Sequence, residues 1–212
     1  MNTKRSRLIL LLLVFFSANV TAAPEQFREG MHYQLITPSQ PHKSDNKVEV
    51  IEFLWYGCES CYVIQSGLER WKSANNNLID YQRMPAITND DMTLMARAFY
   101  TAEVLGIVNK IHRPLFEAIH RYRRQLKTEQ DLADFFNEHG VSEKDFREAF
   151  SSSYVAGKVR KAKTIGSRYG IAGAPTIVIN GKYRVDSSMV TSPDELIAVI
   201  DFLVKKEIGK KI

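Results

Sequence analysis

The stretch Val48-Glu-Val-Ile-Glu-Phe-Leu-Trp-Tyr-Gly-Cys-Glu-Ser-Cys-Tyr62 joins an apolar run to a Cys-x-x-Cys motif, and it contains the only two cysteines of the 212-residue chain. β-Branched and aromatic side chains dominate residues 48–55, which predicts a buried strand. Gly57 supplies a turn, and the apolar spacing of residues 62–71 predicts an amphipathic helix. The motif therefore lies where a strand gives way to a helix.

The position of Cys58 at the start of this helix favours a reactive thiolate. Unpaired backbone N–H groups and the positive end of the helix macrodipole stabilise an anion there. Cys61 lies one turn further on, on the same helix face, close enough to form a small disulfide ring with Cys58. The pattern indicates a redox-active dithiol.

Three other interpretations of the cysteine pair stay open. A structural zinc site needs about four ligands, and the chain has no second cysteine pair and no histidine at ligand spacing from the first. A purely structural disulfide would close a loop too short to stabilise the fold much. Two inert thiols would be poorly hidden at the start of a helix. A redox dithiol accounts for the pair best.

The first 22 residues predict a cleavable signal peptide. A basic segment, residues 1–7, precedes an unbroken apolar run, residues 8–16, and Val20-Thr-Ala22 offers small residues for cleavage after Ala22. The apolar run is too short to span a bilayer comfortably, and an uncleaved membrane anchor is the alternative. We therefore expect an exported protein.

Loss of this segment would leave the protein nearly neutral. The full chain has 29 Lys and Arg against 24 Asp and Glu, and removal of Lys4, Arg5 and Arg7 leaves 26 basic against 24 acidic side chains, a net charge of +2. Such a balance gives no argument for nucleic-acid binding. The one dense basic stretch, residues 120–127, has interleaved apolar residues and is interpreted as the solvated end of a helix.

The rest of the chain predicts a βαβ unit, a helical block and a ββα unit. Residues 31–36 predict a first strand, and residues 78–85 a strand parallel to residues 48–55, because a helix connects them. Five helical patterns follow, at residues 92–105, 107–126, 128–140, 142–150 and 155–169. Asp90-Asp91 would cap the first of these helices, and Pro114 would break or kink the second. Residues 176–179 and 182–185 flank an Asn180-Gly181 turn typical of a hairpin, and residues 192–206 predict the last helix.

In this order the motifs resemble the thioredoxin fold, and the helical block resembles the insertion of the DsbA family of secreted thiol:disulfide oxidoreductases. The resemblance is carried by the Glu-Phe-x-x-x-x-Cys-x-x-Cys-Tyr run from Glu52 to Tyr62, by Ala174-Pro175 and by the Asn180-Gly-Lys-Tyr183 hairpin. It implies an α/β thioredoxin-like domain, residues 23–87 and 170–212. Residues 88–169 would be an inserted all-helical subdomain.

The resemblance also implies roles for the residues of these motifs. Cys58 would be the exposed nucleophile and Cys61 the resolving thiol of a redox-active disulfide. Pro175 would be a cis-proline facing the disulfide, so that the backbone of Ala174 can pair with an extended substrate strand. An ordinary trans proline at the start of a strand is the alternative.

Glu52 is a further catalytic candidate. By strand alternation it shares a face with Val48, Val50 and Leu54, where an unpaired carboxylate is costly. The family has a buried acid six residues before the nucleophile, which implies a proton relay for Cys61. The alternative is a structural carboxylate paired with a lysine elsewhere in the chain.

The dipeptide between the cysteines departs from the family pattern. Glu59-Ser60 stands where the strongly oxidising members have Pro-His, so an imidazole is missing and a negative charge is added. The helix terminus and a nearby like charge act on the thiolate with similar and opposite energies of about 1 kcal/mol. We therefore expect a less acidic Cys58 and a weaker oxidant. Glu59, Ser60 and Ala174 are expected to contact the substrate.

The sequence thus predicts a periplasmic thiol:disulfide oxidoreductase that introduces disulfide bonds into newly exported proteins. Its redox group would be the disulfide itself, without a metal or another cofactor. Its partners would be reduced exported proteins and a membrane redox partner of DsbB type, and the lack of a strand-rich N-terminal dimerisation domain favours a monomer. The alternatives are a weaker oxidant acting as an isomerase or specialised reductant, and a peptide-binding or chaperone module with a static disulfide.

Overall fold

The computed structural model of the chain describes residues 26–41 and 46–210, and the predicted signal peptide lies outside them. Its strands are β1 (Gln34–Leu35), β2 (Val48–Leu54), β3 (Ile79–Pro85), β4 (Thr176–Ile179) and β5 (Tyr183–Asp186). Its helices are α1 (Glu59–Ala74), α2 (Asp90–Val104), α3 (Val108–His120), α4 (Glu129–Glu138), α5 (Glu143–Ser151), α6 (Ser153–Arg168) and α7 (Pro193–Gly209). Within the described part, no helix combines the length and apolar character needed to cross a bilayer.

The five strands form one mixed sheet in the order β1-β5-β4-β2-β3. β2 runs parallel to β3 and antiparallel to β4, as expected for a βαβ unit followed by a ββα unit. All seven residues of β2 are buried. Val50 packs with side chains of α1 and α7, whereas Phe53 packs on the opposite face of the sheet. Because both faces are covered, the register of β2 is fixed, and so is the point where its chain leaves the sheet.

The predicted Asn180-Gly181 hairpin joins β4 to β5. Both turn residues have left-handed backbone conformations, with φ of 49° and 61°. Two-residue turns of this kind match the twist of the strands that they connect. A Cβ atom on Gly181 would lie 2.4 Å from the carbonyl oxygen of Gln40, so this position also lacks room for a side chain.

Helices α2 to α6 follow β3 in the chain and precede β4. Their apolar side chains form a core cluster that also includes Leu54, Tyr56 and Cys61 from the end of β2 and the start of α1. The helical block therefore packs directly against the region that carries the cysteines. The division of the chain into residues 23–87 with 170–212 and residues 88–169 stays a prediction.

Three local predictions differ from the structure. The first strand is only two residues long. The cap of α2 is Asn89, whose Oδ1 accepts the Met92 N–H at 3.0 Å, because an N-cap side chain bonds the third helical residue. The third difference is that the helix does not break at Pro114, which lies inside α3, while the predicted kink stays a prediction.

The predicted helix over residues 107–126 is too long, because α3 ends at His120. Arg123 adopts a left-handed conformation with φ of 54°, which stops the helix, and Leu126 is buried in the helical core. The basic stretch over residues 120–127 is therefore a folded loop, and its interpretation as a helix end is wrong.

Candidate active site

A tight turn places the two cysteines at the end of β2. The N–H of Cys58 donates to the carbonyl oxygen of Trp55 at 3.0 Å. A Cβ atom on Gly57 would lie 2.4 Å from the indole of Trp55, so a side chain at this turn would require the indole to move. Cys58 is the N-cap of α1, and the Cys61 N–H donates to the Cys58 sulfur at 3.1 Å.

The two thiols differ in exposure and in acidity. Cys58 is half-buried and Cys61 is fully buried. The side-chain hydrogen bond from Cys61 lowers the pKa of Cys58 from 9.0 to about 7, and the N–H groups of Cys61 and Ser60 add to this effect against the opposing effect of burial. Burial, followed by the hydrogen bond and the charge of Cys58, raises the pKa of Cys61 far above its usual range. The arrangement favours a thiolate on Cys58 and a thiol on Cys61.

Glu59 and Ser60 are both exposed at the first turn of α1. The expected cancellation between the helix terminus and Glu59 is not found, since the pKa of Cys58 falls. The hydrogen-bond donors of Cys61 and Ser60 act directly on the sulfur. The Glu59 side chain is exposed, so solvent screens the repulsion between its carboxylate and the thiolate. Glu59 and Ser60 line a groove of about 350 Å³ that also contains Pro175.

The Ala174-Pro175 peptide lies against Cys58. Its peptide bond is cis, so the alternative of a trans proline does not apply. The Cys58 thiol donates to the Ala174 carbonyl oxygen at 3.2 Å, across 116 positions of sequence. The turn before β4 thus brings the predicted substrate-binding backbone to the predicted nucleophile.

Glu52 is completely buried, and it is paired. The Tyr81 hydroxyl donates to its Oε2 at 2.7 Å, the Gln65 amide donates to its Oε1 at 2.6 Å, and the Arg83 guanidinium lies 3.4 Å from Oε2. The expectation of an unpaired carboxylate is therefore wrong, and the partner is an arginine instead of a lysine. Burial alone would lower the pKa of Arg83, but the charge of Glu52 raises it.

A chain of hydrogen bonds links Glu52 to the helical block. A carboxylate can only accept, so the Gln65 amide nitrogen faces Glu52 and its oxygen accepts from His112 Nε2 at 2.8 Å. His112 Nδ1 then accepts the Tyr56 hydroxyl at 3.0 Å. Burial, together with the charge of Arg83, lowers the pKa of His112 to about 3, so this imidazole is neutral.

Sequence reasoning missed Arg83, Gln65 and His112. The strand register could have identified Arg83, because parallel pairing of β2 with β3 aligns it with Glu52. Gln65 lies four residues after Cys61 on α1, and its amide also donates to the Cys61 carbonyl oxygen at 3.2 Å. No local signal marks His112, since its partners come from other elements. Among residues 26–41 and 46–210, no group of three or more side chains could hold a metal ion.

Comparisons with known proteins agree with this geometry. A family model described as a DSBA-like thioredoxin domain matches residues 59–198. The chain is 36% identical to a thiol:disulfide interchange protein DsbA of Burkholderia cepacia over 205 residues, which cover 96% of this chain and 97% of the relative. A DsbA of Pseudomonas aeruginosa is 31% identical over 89% of each chain. The crystal structure of Pseudomonas aeruginosa DsbA superimposes with a TM-score of 0.81 at 31% identity, covering 87% of this chain and 96% of that one.

The acidity difference makes a prediction for thiol labelling. In the reduced protein at pH 7, iodoacetamide should alkylate Cys58 much faster than Cys61, because only the thiolate reacts and Cys61 is buried. The Cys58 rate should level off above pH 7, because its pKa of about 7 leaves the thiol ionised there, and it should fall about tenfold per pH unit below pH 7. Mass spectrometry of the peptides measures both rates, and the urea-unfolded protein is the control. Equal folded-state rates, or a midpoint at the free-thiol pKa of 9.0, would contradict the assignment.

Proposed function

The chain belongs to the family of DSBA-like thioredoxin domains and is a thiol:disulfide oxidoreductase that acts on thiol-containing proteins, and from this premise we propose that it donates disulfides to exported proteins. The observation that carries the proposal is the unequal acidity of Cys58 and Cys61. Stabilising one sulfur as a thiolate stabilises the reduced form over the disulfide. A disulfide between these residues is then inclined to take electrons from a substrate.

The proposed reaction has two exchange steps. A substrate thiolate attacks the Cys58 sulfur, the Cys58–Cys61 bond breaks, and a mixed disulfide between substrate and Cys58 forms. A second substrate thiolate then attacks the substrate sulfur of this mixed disulfide and releases Cys58 as a thiolate. The substrate loses two electrons and gains a disulfide, and the cysteine pair gains the two electrons.

The pKa difference between the two cysteines favours the second exchange step, whereas the first step requires that Cys61 be protonated. Cys58 is the better leaving group because its pKa is low. Cys61 leaves as a buried thiolate, which its surroundings disfavour, so it must gain a proton as the first bond breaks. A group that controls this proton would accelerate the exchange.

We assign this control to Glu52. Its charge is one of the causes that raise the pKa of Cys61. Its contact with the cysteine helix runs through Gln65, whose amide donates both to Glu52 and to the carbonyl oxygen of Cys61. Glu52 therefore acts through Gln65 and through its charge, and it is a positioning residue.

The substrate is proposed to lie along Ala174, Pro175, Glu59 and Ser60. Once Cys58 is a thiolate, it has no hydrogen for the Ala174 carbonyl oxygen, and that oxygen can accept a backbone N–H from an extended substrate. The groove beside Pro175 offers Val63 and Leu196 as apolar lining for a neighbouring substrate side chain.

The cellular setting completes the proposal. The basic start, short apolar run and small residues before Ala22 support a cleaved signal peptide and a periplasmic location. Each turnover leaves a dithiol, so an electron acceptor must reoxidise it, and a membrane partner of DsbB type would do so. The protein is proposed to act as a monomer.

The modest acidity of Cys58 favours a second candidate, a weaker oxidant that acts as an isomerase or specialised reductant. The pKa of about 7 reflects hydrogen bonds from Cys61 and Ser60 against the opposing effect of burial. Glu59-Ser60 stands where the family resemblance places a histidine in strongly oxidising members. A less stabilised thiolate means a less oxidising disulfide. This candidate keeps the same site and differs in the direction of net exchange.

Catalytic turnover tests the proposed function. Substoichiometric protein, with glutathione disulfide as the terminal oxidant, should accelerate disulfide formation in a reduced two-cysteine model protein. Cys58→Ser should abolish the acceleration, whereas Cys61→Ser should accumulate a mixed disulfide with the substrate. Acceleration only with a scrambled, already oxidised substrate would favour the isomerase. No acceleration with either substrate would contradict both candidates.

The role of Glu52 is tested against Glu69, the other acid that pairs with Arg83. Glu52→Gln should destabilise the fold by roughly 1–3 kcal/mol in urea unfolding, because Arg83 loses a buried partner. The same change at the more exposed Glu69 should cost less than about 1 kcal/mol. Glu52→Gln should also change the dependence of substrate oxidation on pH between pH 6 and 8. An oxidation profile identical to that of Glu69→Gln would show a purely structural role.

A further inference from the structure

The basic stretch that the redox chemistry leaves unused forms a loop beside the cysteines. We define the arginine loop as residues 121–124, which follow the last residue of α3. His120, immediately before it, donates from Nε2 to the carbonyl oxygen of Tyr56 at 2.8 Å and stacks on the Tyr62 ring at 5.2 Å. Tyr56 precedes Cys58 by two residues, and Tyr62 lies in the first turns of α1. The arginine loop therefore begins next to a residue that contacts both the turn before Cys58 and the first turns of α1.

The backbone of the arginine loop is held in place. The N–H groups of Arg121 and Tyr122 donate to the Glu117 carbonyl oxygen, each at 2.9 Å, and that of Arg124 donates to the Ala118 carbonyl oxygen at 2.9 Å. The Arg124 guanidinium donates hydrogen bonds to both carboxylate oxygens of Glu138, at 2.5 and 2.8 Å. A surface held in this way is ordered before a partner arrives, which lowers the entropic cost of binding.

Two arginines of the arginine loop have no ion-pair partner among the described residues. They are Arg121 and Arg123, and both are exposed. Arg121 lies 5.4 Å from the centre of the Tyr122 ring, which is itself 62% exposed. Other arginines of the helical block, such as Arg113 and Arg147, pair with glutamates of their own helices. Two unpaired guanidinium groups, one of them beside an exposed aromatic ring, form a surface suited to an anionic partner.

These charges do not tune the thiol. The pKa of Cys58 is set by Cys61, burial and the N–H of Ser60, and no loop arginine contributes to it. The loop also lies on the α3 side of α1, through Tyr62, whereas Glu59 lines the groove on the α7 side. Glu59 and the loop arginines therefore carry opposite charges on different sides of α1.

We propose that the arginine loop is a recognition surface for acidic residues flanking the substrate cysteine. A substrate with Asp or Glu near its cysteine gains attraction to Arg121 and Arg123 as its thiolate approaches Cys58, and a substrate with Lys or Arg there is disfavoured. The charge preference changes the rate at which the substrate encounters and docks on the protein. The chemical step of disulfide exchange is the same for all substrates. This inference rests on the proposed function and adds a substrate preference to it.

Rates with charged substrates test the inference. Oxidised protein is mixed with dithiol peptides that are identical except for Glu, Gln or Lys beside the first cysteine, and its reduction is followed by stopped flow. At low ionic strength the Glu peptide should react about tenfold faster than the Lys peptide, and salt should shrink the ratio. Arg121→Gln with Arg123→Gln should lower the ratio to one or below, because the negative Glu59 remains beside Cys58, without changing the rate of the Gln peptide. The matched control, Lys144→Gln with Arg160→Gln, removes two exposed cations of α5 and α6 and should keep the wild-type ratio.

The outcomes separate this inference from the proposed function. If no peptide reduces the wild-type protein, the proposed function fails. If all peptides react but the Glu-to-Lys ratio is flat, or survives in the loop variant, the arginine loop is not a recognition surface for acidic substrates. Binding to phosphatidylglycerol vesicles that the loop variant loses, together with a flat peptide ratio, would overturn the inference in favour of a membrane surface.

Discussion

The chemistry of this protein depends on two hydrogen bonds from Cys61 to the sulfur of Cys58, of which the side-chain bond lowers the pKa of Cys58 most. The second is a hydrogen bond from the backbone of Cys61 to this sulfur at 3.1 Å. It forms because Cys58 occupies the N-cap of α1, where backbone donors have no partner inside the helix. That position follows in turn from the burial of β2 on both faces and from Gly57, which lets the Trp55 ring pack closely against the turn. The burial of β2 in the sheet thus fixes the position of Cys58 at the start of α1, where its thiolate is stabilised.

The helical block contributes to both sides of this site. From α3, His112 completes the buried chain that reaches Glu52 through Gln65, while His120 braces the turn at Tyr56 and the ring of Tyr62. The first contact lies behind Cys61, and the second leads to the exposed arginine loop. One helix therefore connects the environment of the buried thiol to the surface that faces a substrate.

Patterns within short segments were sufficient to predict strands β2 to β5 and the hairpin at Asn180-Gly181, whereas the cis-proline turn beside Cys58 followed from the family resemblance. Contacts between distant segments were not predictable in the same way. Arg83 reaches Glu52 through the register of two strands, and His112 reaches Gln65 from a helix 47 positions away. The arginine loop was misjudged because basic and apolar residues alternate there as in a helix, while the burial of Leu126 turns the chain back.

The pH titration of thiolate absorbance in the reduced protein tests most directly whether the start of α1 holds Cys58 as a thiolate. One thiol should titrate with a midpoint near pH 7, while Cys61 should stay protonated over the whole range in which the protein is folded. A single midpoint at the unperturbed value of 9.0, or two thiols that ionise together, would contradict this prediction.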